Sequence, residues 1–194
     1  GLYNHRALSQ IRTTHINSGT NLWLAHNIFP VLSPAVLKEA RRLRTPMVLY
    51  LHNYRPFSVN GGLWAGDCLA TSGLRKNFLP EVLSASWQDS VARSAWLAAV
   101  MLTAHALGWY RHVDAWIAVS DFVRQRFIEA GVPAAKVHVL PYPYIASATA
   151  PEAGPGKHFL FLGRLTAAKG IRVLLQAWER VRAETGATPA KLSI

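Results

Sequence analysis

Cysteine occurs once in the 194 residues, at Cys68, so no disulfide can close within the chain and no multi-cysteine zinc site can be built from it. A reducing compartment is the simplest setting. Acid is scarce as well: ten Asp and Glu stand against 21 Lys and Arg, and the first sixty residues carry only Glu39. The resulting formal net charge of +11 draws the chain toward phosphates, nucleic acid or the anionic face of a membrane, and charge by itself does not choose among them. The basic residues are spread evenly, with tight runs only at Arg41-Arg42-Leu43-Arg44 and Arg75-Lys76, the usual pattern of solvated helix or loop faces.

Long apolar runs are missing too. The most membrane-like stretch, residues 95–110, is interrupted by His105 and falls short of the roughly 20 residues a spanning helix needs, so a buried helix is expected there. No basic-plus-apolar leader opens the chain, and Gly1 stands where an initiator Met would, which suggests a fragment or a processed chain. The expected location is cytoplasmic, with peripheral contact at the inner membrane face left open. What is present is a composition 51% hydrophobic with seven Trp, enough for one full domain and part of another.

Short apolar runs recur at 21–26, 46–52, 115–120, 137–140 and 158–163, each followed by polar or glycine-containing turns and then a helical pattern. Helices are expected over 5–16, 34–44, 87–110, 121–130 and 170–185. That alternation predicts an α/β fold, a parallel sheet with crossover helices. In the last helix Ile171, Leu174, Leu175, Trp178 and Val181 share one face. Residues 147–157 are rich in Ala, Pro, Gly, Ser and Thr and read as a linker between a domain at 1–146 and the beginning of a second at 158–194. The strand that starts at Lys191 has no helix after it, so the second domain is expected to be cut off soon after it starts. Residues 57–80 are glycine-rich and aperiodic; a loop of that length is either functional or a flexible surface insertion.

Two strands end in the same chemistry, His26-Asn27 and His52-Asn53. Ligands of open parallel sheets bind outside the carboxyl ends of the strands, so both pairs are expected on the rim of one cleft, where imidazole and carboxamide groups can bond hydroxyls or phosphates. No nearby carboxylate or third His completes a metal site around them. Ser120 ends a third strand and precedes Asp121; this suits a helix cap, and it also makes Ser120 a cleft contact, though not a nucleophile, since no base is paired with it. The sharpest motif is Phe159-Leu160-Phe161-Leu162-Gly163-Arg164-Leu165-Thr166-Ala167-Ala168-Lys169-Gly170, an apolar strand entering a helix through two glycines and two cations. Such a mouth attracts anionic oxygens, most plausibly phosphates. It lacks the Gly-Lys-Ser/Thr ending of a Walker loop and is not a Gly-x-Gly-x-x-Gly pattern.

At these residues the chain resembles glycosyltransferase family 4, the retaining GT-B enzymes that use nucleotide sugars. The resemblance is carried by Leu51-His52, the loop opening Asn53-Tyr54-Arg55-Pro56-Phe57, the run Val113-Asp114-Ala115-Trp116-Ile117-Ala118-Val119-Ser120, the segment Gly131-Val132-Pro133-Ala134-Ala135-Lys136-Val137, and Gly163-Arg164-Leu165 with Lys169-Gly170. It implies two Rossmann-like domains, the acceptor mainly on the first and the donor mainly on the second. It implies that Gly163, Arg164, Lys169 and Gly170 hold the donor diphosphate, and that His52 sits beside the transferred sugar as the catalytic residue. The strand ends themselves give His26, Asn27, Asn53 and Ser120 as cleft contacts, and the resemblance further implies that no metal or other cofactor is required. The partners implied are a nucleotide sugar and a glycan or lipid-linked acceptor, with no nucleic acid.

Departures from the pattern qualify this. The glycine-rich loop after the first strand and the later pair of glutamates eight positions apart are absent, so the chain as given is expected to bind donor poorly and to be impaired. Pro141-Tyr142-Pro143-Tyr144 stands where relatives show Pro-Asn, which puts a polar contact in doubt. Some relatives carry several cysteines in the Asn-Tyr-Arg loop; only Cys68 remains here and Ser58 stands where one is expected, which argues against a metal-stabilised loop. The competing reading is a non-catalytic basic module for nucleic acid or anionic membrane, distinguished by steep salt dependence of polynucleotide binding. Against it, neither an aromatic-basic strand motif nor a compact helix-turn-helix is present.

Overall fold

A helix or a longer folded segment separates each strand of the main sheet from the next, and this spacing lets every strand run in the same direction. A computed structural model describes residues 1–29, 31–143, 158–166, 169–185 and 190–194. It falls into two units, Gly1–Pro143 and Tyr144–Ile194. The linker expected at 147–157 lies outside the described residues.

The first unit begins with α1 (His5–Ser18), whose N-cap Asn4 accepts the Ala7 N–H through Oδ1 at 3.1 Å and whose C-cap Gly19 turns left-handed at φ +60°. Then follow β1 (Trp23–His26), α2 (Ala35–Arg42) and β2 (Met47–Leu51). A long folded segment leads to α4 (Val91–Ala106), and β5 (Ala115–Ala118), α5 (Asp121–Glu129) and β6 (Val137–Val139) complete the unit. The sheet has the order β1-β2-β5-β6, all parallel, with Trp23 opposite Met47, Leu49 opposite Trp116 and Trp116 opposite Val137. This is a Rossmann-like parallel sheet flanked by helices. Met47, Leu49 and Leu51 of β2 are buried, and so are Trp116 and Ala118 of β5, against Val36, Leu37 and Ala40 of α2 and Phe127 of α5. Alternation along each strand selects this face.

Glu39, the lone acid of the first sixty residues, is buried on α2. Its carboxylate accepts from Arg12 Nε and Nη2 of α1 at 2.6 and 2.8 Å and from Arg42 Nε at 2.9 Å. The Arg12 guanidinium, more than any other neighbour, holds this carboxyl at about 2.

The segment expected as an aperiodic loop is folded. It contains a 3-10 turn Arg55–Phe57, the hairpin β3 (Trp64–Ala65) and β4 (Cys68–Leu69), a second 3-10 turn Thr71–Arg75 and the short α3 (Leu79–Leu83). Its order comes from polar groups. Glu81, 1% exposed, accepts the Ser58 hydroxyl at 2.6 Å and the Val59 N–H at 2.7 Å, while Ser58 Oγ accepts the N–H groups of Gly61 and Leu63 at 3.1 and 3.0 Å. Gly73 lies so close to the Phe57 carbonyl oxygen that a Cβ there would stand 2.1 Å from it. The helix expected over 87–110 is shorter than predicted. Gln88 and Asp89 are left-handed at φ +53° and +51°, so α4 starts only at Val91 with Ser90 as its cap, and Trp109–His112 is a 3-10 turn. Among the described residues no helix is long and apolar enough to cross a membrane.

In the second unit β7 (His158–Leu160) pairs in parallel with β8 (Lys191–Ser193), and α6 (Ile171–Thr185) connects them. Trp178 of α6 meets Phe159 edge-on at 5.2 Å. Of the expected apolar face, Ile171, Leu174 and Trp178 are half-buried and Leu175 and Val181 are exposed.

Candidate functional site

The parallel register sets His26, the last residue of β1, opposite Tyr50 of β2. His52 follows Tyr50 by two positions and therefore shares its face. The three rings stack: His26 and Tyr50 are 5.1 Å apart at 14°, Tyr50 and His52 5.0 Å at 23°, and His26 and His52 4.9 Å at 33°. A fourth ring arrives from the chain after β6. Tyr142 lies 5.8 Å from Tyr50 and 5.6 Å from His52, and the Tyr50 hydroxyl donates to the Leu140 carbonyl at 2.8 Å, which fixes this return.

Hydrogen bonds link the rings edge to edge. His26 Nδ1 and His52 Nε2 are 2.6 Å apart, and His52 Nδ1 is 2.5 Å from the Tyr142 hydroxyl. Beside them Asn53 Nδ2 donates to Asn27 Oδ1 at 2.9 Å, and Asn53 Oδ1 accepts the Arg55 N–H at 3.0 Å. The carboxyl edge of β1 and β2 therefore brings His26, Asn27, His52 and Asn53 into one group. Among the described residues no third His, Cys, Asp or Glu joins the two imidazoles. Tyr50 and Tyr142 were not anticipated as members. Tyr50 is legible from strand alternation with His52; Tyr142 carries no such signal, standing in the sequence only as a departure from the family pattern.

Ser120 does not join this group by hydrogen bonding. Its oxygen accepts the Val123 N–H at 3.3 Å and caps α5. Gly163, Arg164, Lys169 and Gly170 belong to the second unit. There Thr166 N–H donates to the Arg164 carbonyl at 2.8 Å, Lys169 N–H donates to the Thr166 carbonyl at 2.9 Å, and Gly170 takes φ +74° immediately before α6. Both cations are exposed at the entrance to a 15-residue helix. This geometry suits an anionic ligand.

Burial, and next the charge of His26, hold the His52 imidazole below its ordinary value of 6.5. His105 is also held down, first by burial and then by Lys76, although it donates Nε2–H to the Pro56 carbonyl at 2.7 Å, which opposes the shift. Both bind a proton less readily in the folded chain than in the unfolded one. The stability they contribute is full above about pH 6.5 and is lost as pH falls through their folded values. The urea midpoint is expected to drop between pH 7.5 and 5.0, and a His52→Gln, His105→Gln variant should show a flatter profile; equal slopes would contradict the assignment.

The family model described as Glycosyltransferase Family 4 matches residues 4–144, more than half of the chain. No curated protein and no solved structure matches it.

Proposed function

Because the chain belongs to glycosyltransferase family 4, we propose that it transfers a sugar from a nucleoside-diphosphate donor to a hydroxyl of a growing glycan or lipid-linked acceptor, with retention. The family match carries this reading, since it spans nearly the whole of the first unit, including the sheet edge where His26, Asn27, His52 and Asn53 meet. In the reaction the acceptor oxygen bonds to the anomeric carbon as the bond to the diphosphate oxygen breaks on the same face. The acceptor proton passes to the departing diphosphate.

The charge that builds on the diphosphate needs cations, and in this reading the exposed Arg164 and Lys169 supply them in place of a metal. Gly163 and Gly170 let the backbone approach the phosphates. The imidazole and carboxamide groups at the edge of β1 and β2 can bond sugar hydroxyls or phosphates. A net charge of +11 favours acceptors held at an anionic membrane face, in polysaccharide or glycoconjugate synthesis.

The test is an assay of the full-length protein, not of the 194-residue chain alone, with a panel of UDP- and GDP-sugars in metal-free buffer with EDTA. Release of nucleoside diphosphate, hydrolytic or stimulated by a glycan or polyprenyl acceptor, is the expected result. A protein that neither binds nor turns over any donor would remove the proposal.

A further inference from the structure

The resemblance implies His52 rather than His26 as the catalytic residue, but the His52 ring has no free nitrogen. Nδ1 faces the Tyr142 hydroxyl at 2.5 Å and Nε2 faces His26 Nδ1 at 2.6 Å. Asn53 is engaged through one Nδ2 hydrogen on Asn27 and through Oδ1 on the Arg55 N–H, and it is only half-exposed. The pair on β1 is different. His26 and Asn27 are exposed, and among the described residues neither His26 Nε2 nor Asn27 Nδ2 has a hydrogen-bond partner.

The direction of the proton chain follows from chemistry. A neutral imidazole carries one N–H, so the two bonds of His52 must run in the same sense. A phenol is the better donor and an imidazole nitrogen the better acceptor, so Tyr142 O–H donates to His52 Nδ1. His52 Nε2–H then donates to His26 Nδ1, and His26 keeps its proton on Nε2, facing outward. The neighbours of the chain are the Tyr50 ring stacked on both imidazoles and the Tyr142 ring; no carboxylate hydrogen-bonds to either imidazole among the described residues. The low proton affinity of His52 agrees with a neutral ring.

We infer that His52 and Asn53 are positioning residues, that Tyr142 sets the tautomer of the pair, and that His26 Nε2–H and Asn27 Nδ2–H are the donors offered to a substrate oxygen. Asn27 supports this through its backbone. It is left-handed at φ +47°, a conformation Asn tolerates better than most residues, and the turn leaves its amide nitrogen unengaged beside His26. The two donors suit a sugar hydroxyl or a phosphate oxygen. That choice of substrate rests on the proposed glycosyl transfer; the tautomer chain does not.

Two measurements test it. Side-chain two-bond 1H–15N spectra of the 194-residue chain at pH 7.5, with no sugar present, should show both His26 and His52 protonated at Nε2. In Tyr142→Phe, which keeps the stacked ring, His52 should lose its single tautomer while His105 keeps its own. A His52 protonated at Nδ1 in the parent, or a tautomer unchanged by Tyr142→Phe, would overturn the relay. In the donor assay, His26→Ala is expected to lower kcat/KM by about 10- to 100-fold, the value of one lost hydrogen bond to a charged or developing-charge oxygen. Tyr142→Phe should lose less and shift the pH profile. Parent-like turnover by His26→Ala would overturn the contact. Absence of turnover in the parent would count against glycosyl transfer and leave the tautomer result standing.

Discussion

Alanine at both Arg164 and Lys169 is expected to lower kcat/KM by at least about 10³-fold while leaving the unfolding midpoint nearly unchanged. Removing one preorganised donor to a developing anion costs about 10²- to 10³-fold, and two that act on the same diphosphate are not additive. Both side chains are exposed, so their loss opens no cavity and strands no buried partner. Surface changes of that kind stay within about 0.5 kcal/mol. Arg164→Lys should recover part of the activity, since the charge remains but the planar fork that grips two phosphate oxygens is gone. A double variant that turns over like the parent would show that the donor diphosphate lies elsewhere. Equal losses of activity and of folding midpoint would mean that the loop before α6 is structural.

The parts of the molecule differ in how far their residues announce them. The strands were legible because short apolar runs alternate with helical periods, although their ends were not: the run at 21–26 pairs only from Trp23, where its N–H meets the Pro46 carbonyl at 2.9 Å. Periodicity also missed the left-handed pair Gln88 and Asp89, since neither residue type demands that conformation. At the site, two strands that end alike in His-Asn predict neighbours at one sheet edge, and the register pairs β1 with β2. The rank order within the group was not legible. It depends on Tyr142, which reaches His52 across 90 positions of chain, a separation at which no local pattern speaks. Glu39 stood out as an isolated acid, yet its role required Arg12 on another helix.

The folded segment between β2 and α4 depends most on Glu81, and Glu81→Ala is expected to cost about 3 kcal/mol. The Val59 N–H would be left buried without an acceptor, at about 1–3 kcal/mol, and the Ser58 hydroxyl would exchange its short bond to the carboxyl for the one to Asn60 Oδ1 at 3.0 Å, at about 1 kcal/mol. Glu81→Gln should lose less than half as much. It keeps one oxygen for Val59, and it carries no charge to desolvate, whereas burial pushes the Glu81 carboxyl above its ordinary value against the opposing pull of Ser58, Val59, Asn60 and Arg55. Urea unfolding gives the cost, and amide exchange locates it. Protection should fall first at Tyr54, whose N–H donates to the Gly61 carbonyl at 2.9 Å, and at Gly61 and Leu63, which donate to Ser58. The Arg55 guanidinium, lying 4.4 Å from the Trp87 ring, is bonded to the Val59 carbonyl and so is coupled to the residue whose N–H loses its acceptor. Loosening at Ser58 passes to Arg55 and so to Asn53, whose carboxamide accepts the Arg55 N–H and positions Asn27. Glu81→Ala is therefore expected to raise KM for whichever substrate meets Asn27 even under conditions where the variant is fully folded. A stability loss below about 0.5 kcal/mol would show that Ser58 and Val59 find other partners and that the carboxylate does not order the segment.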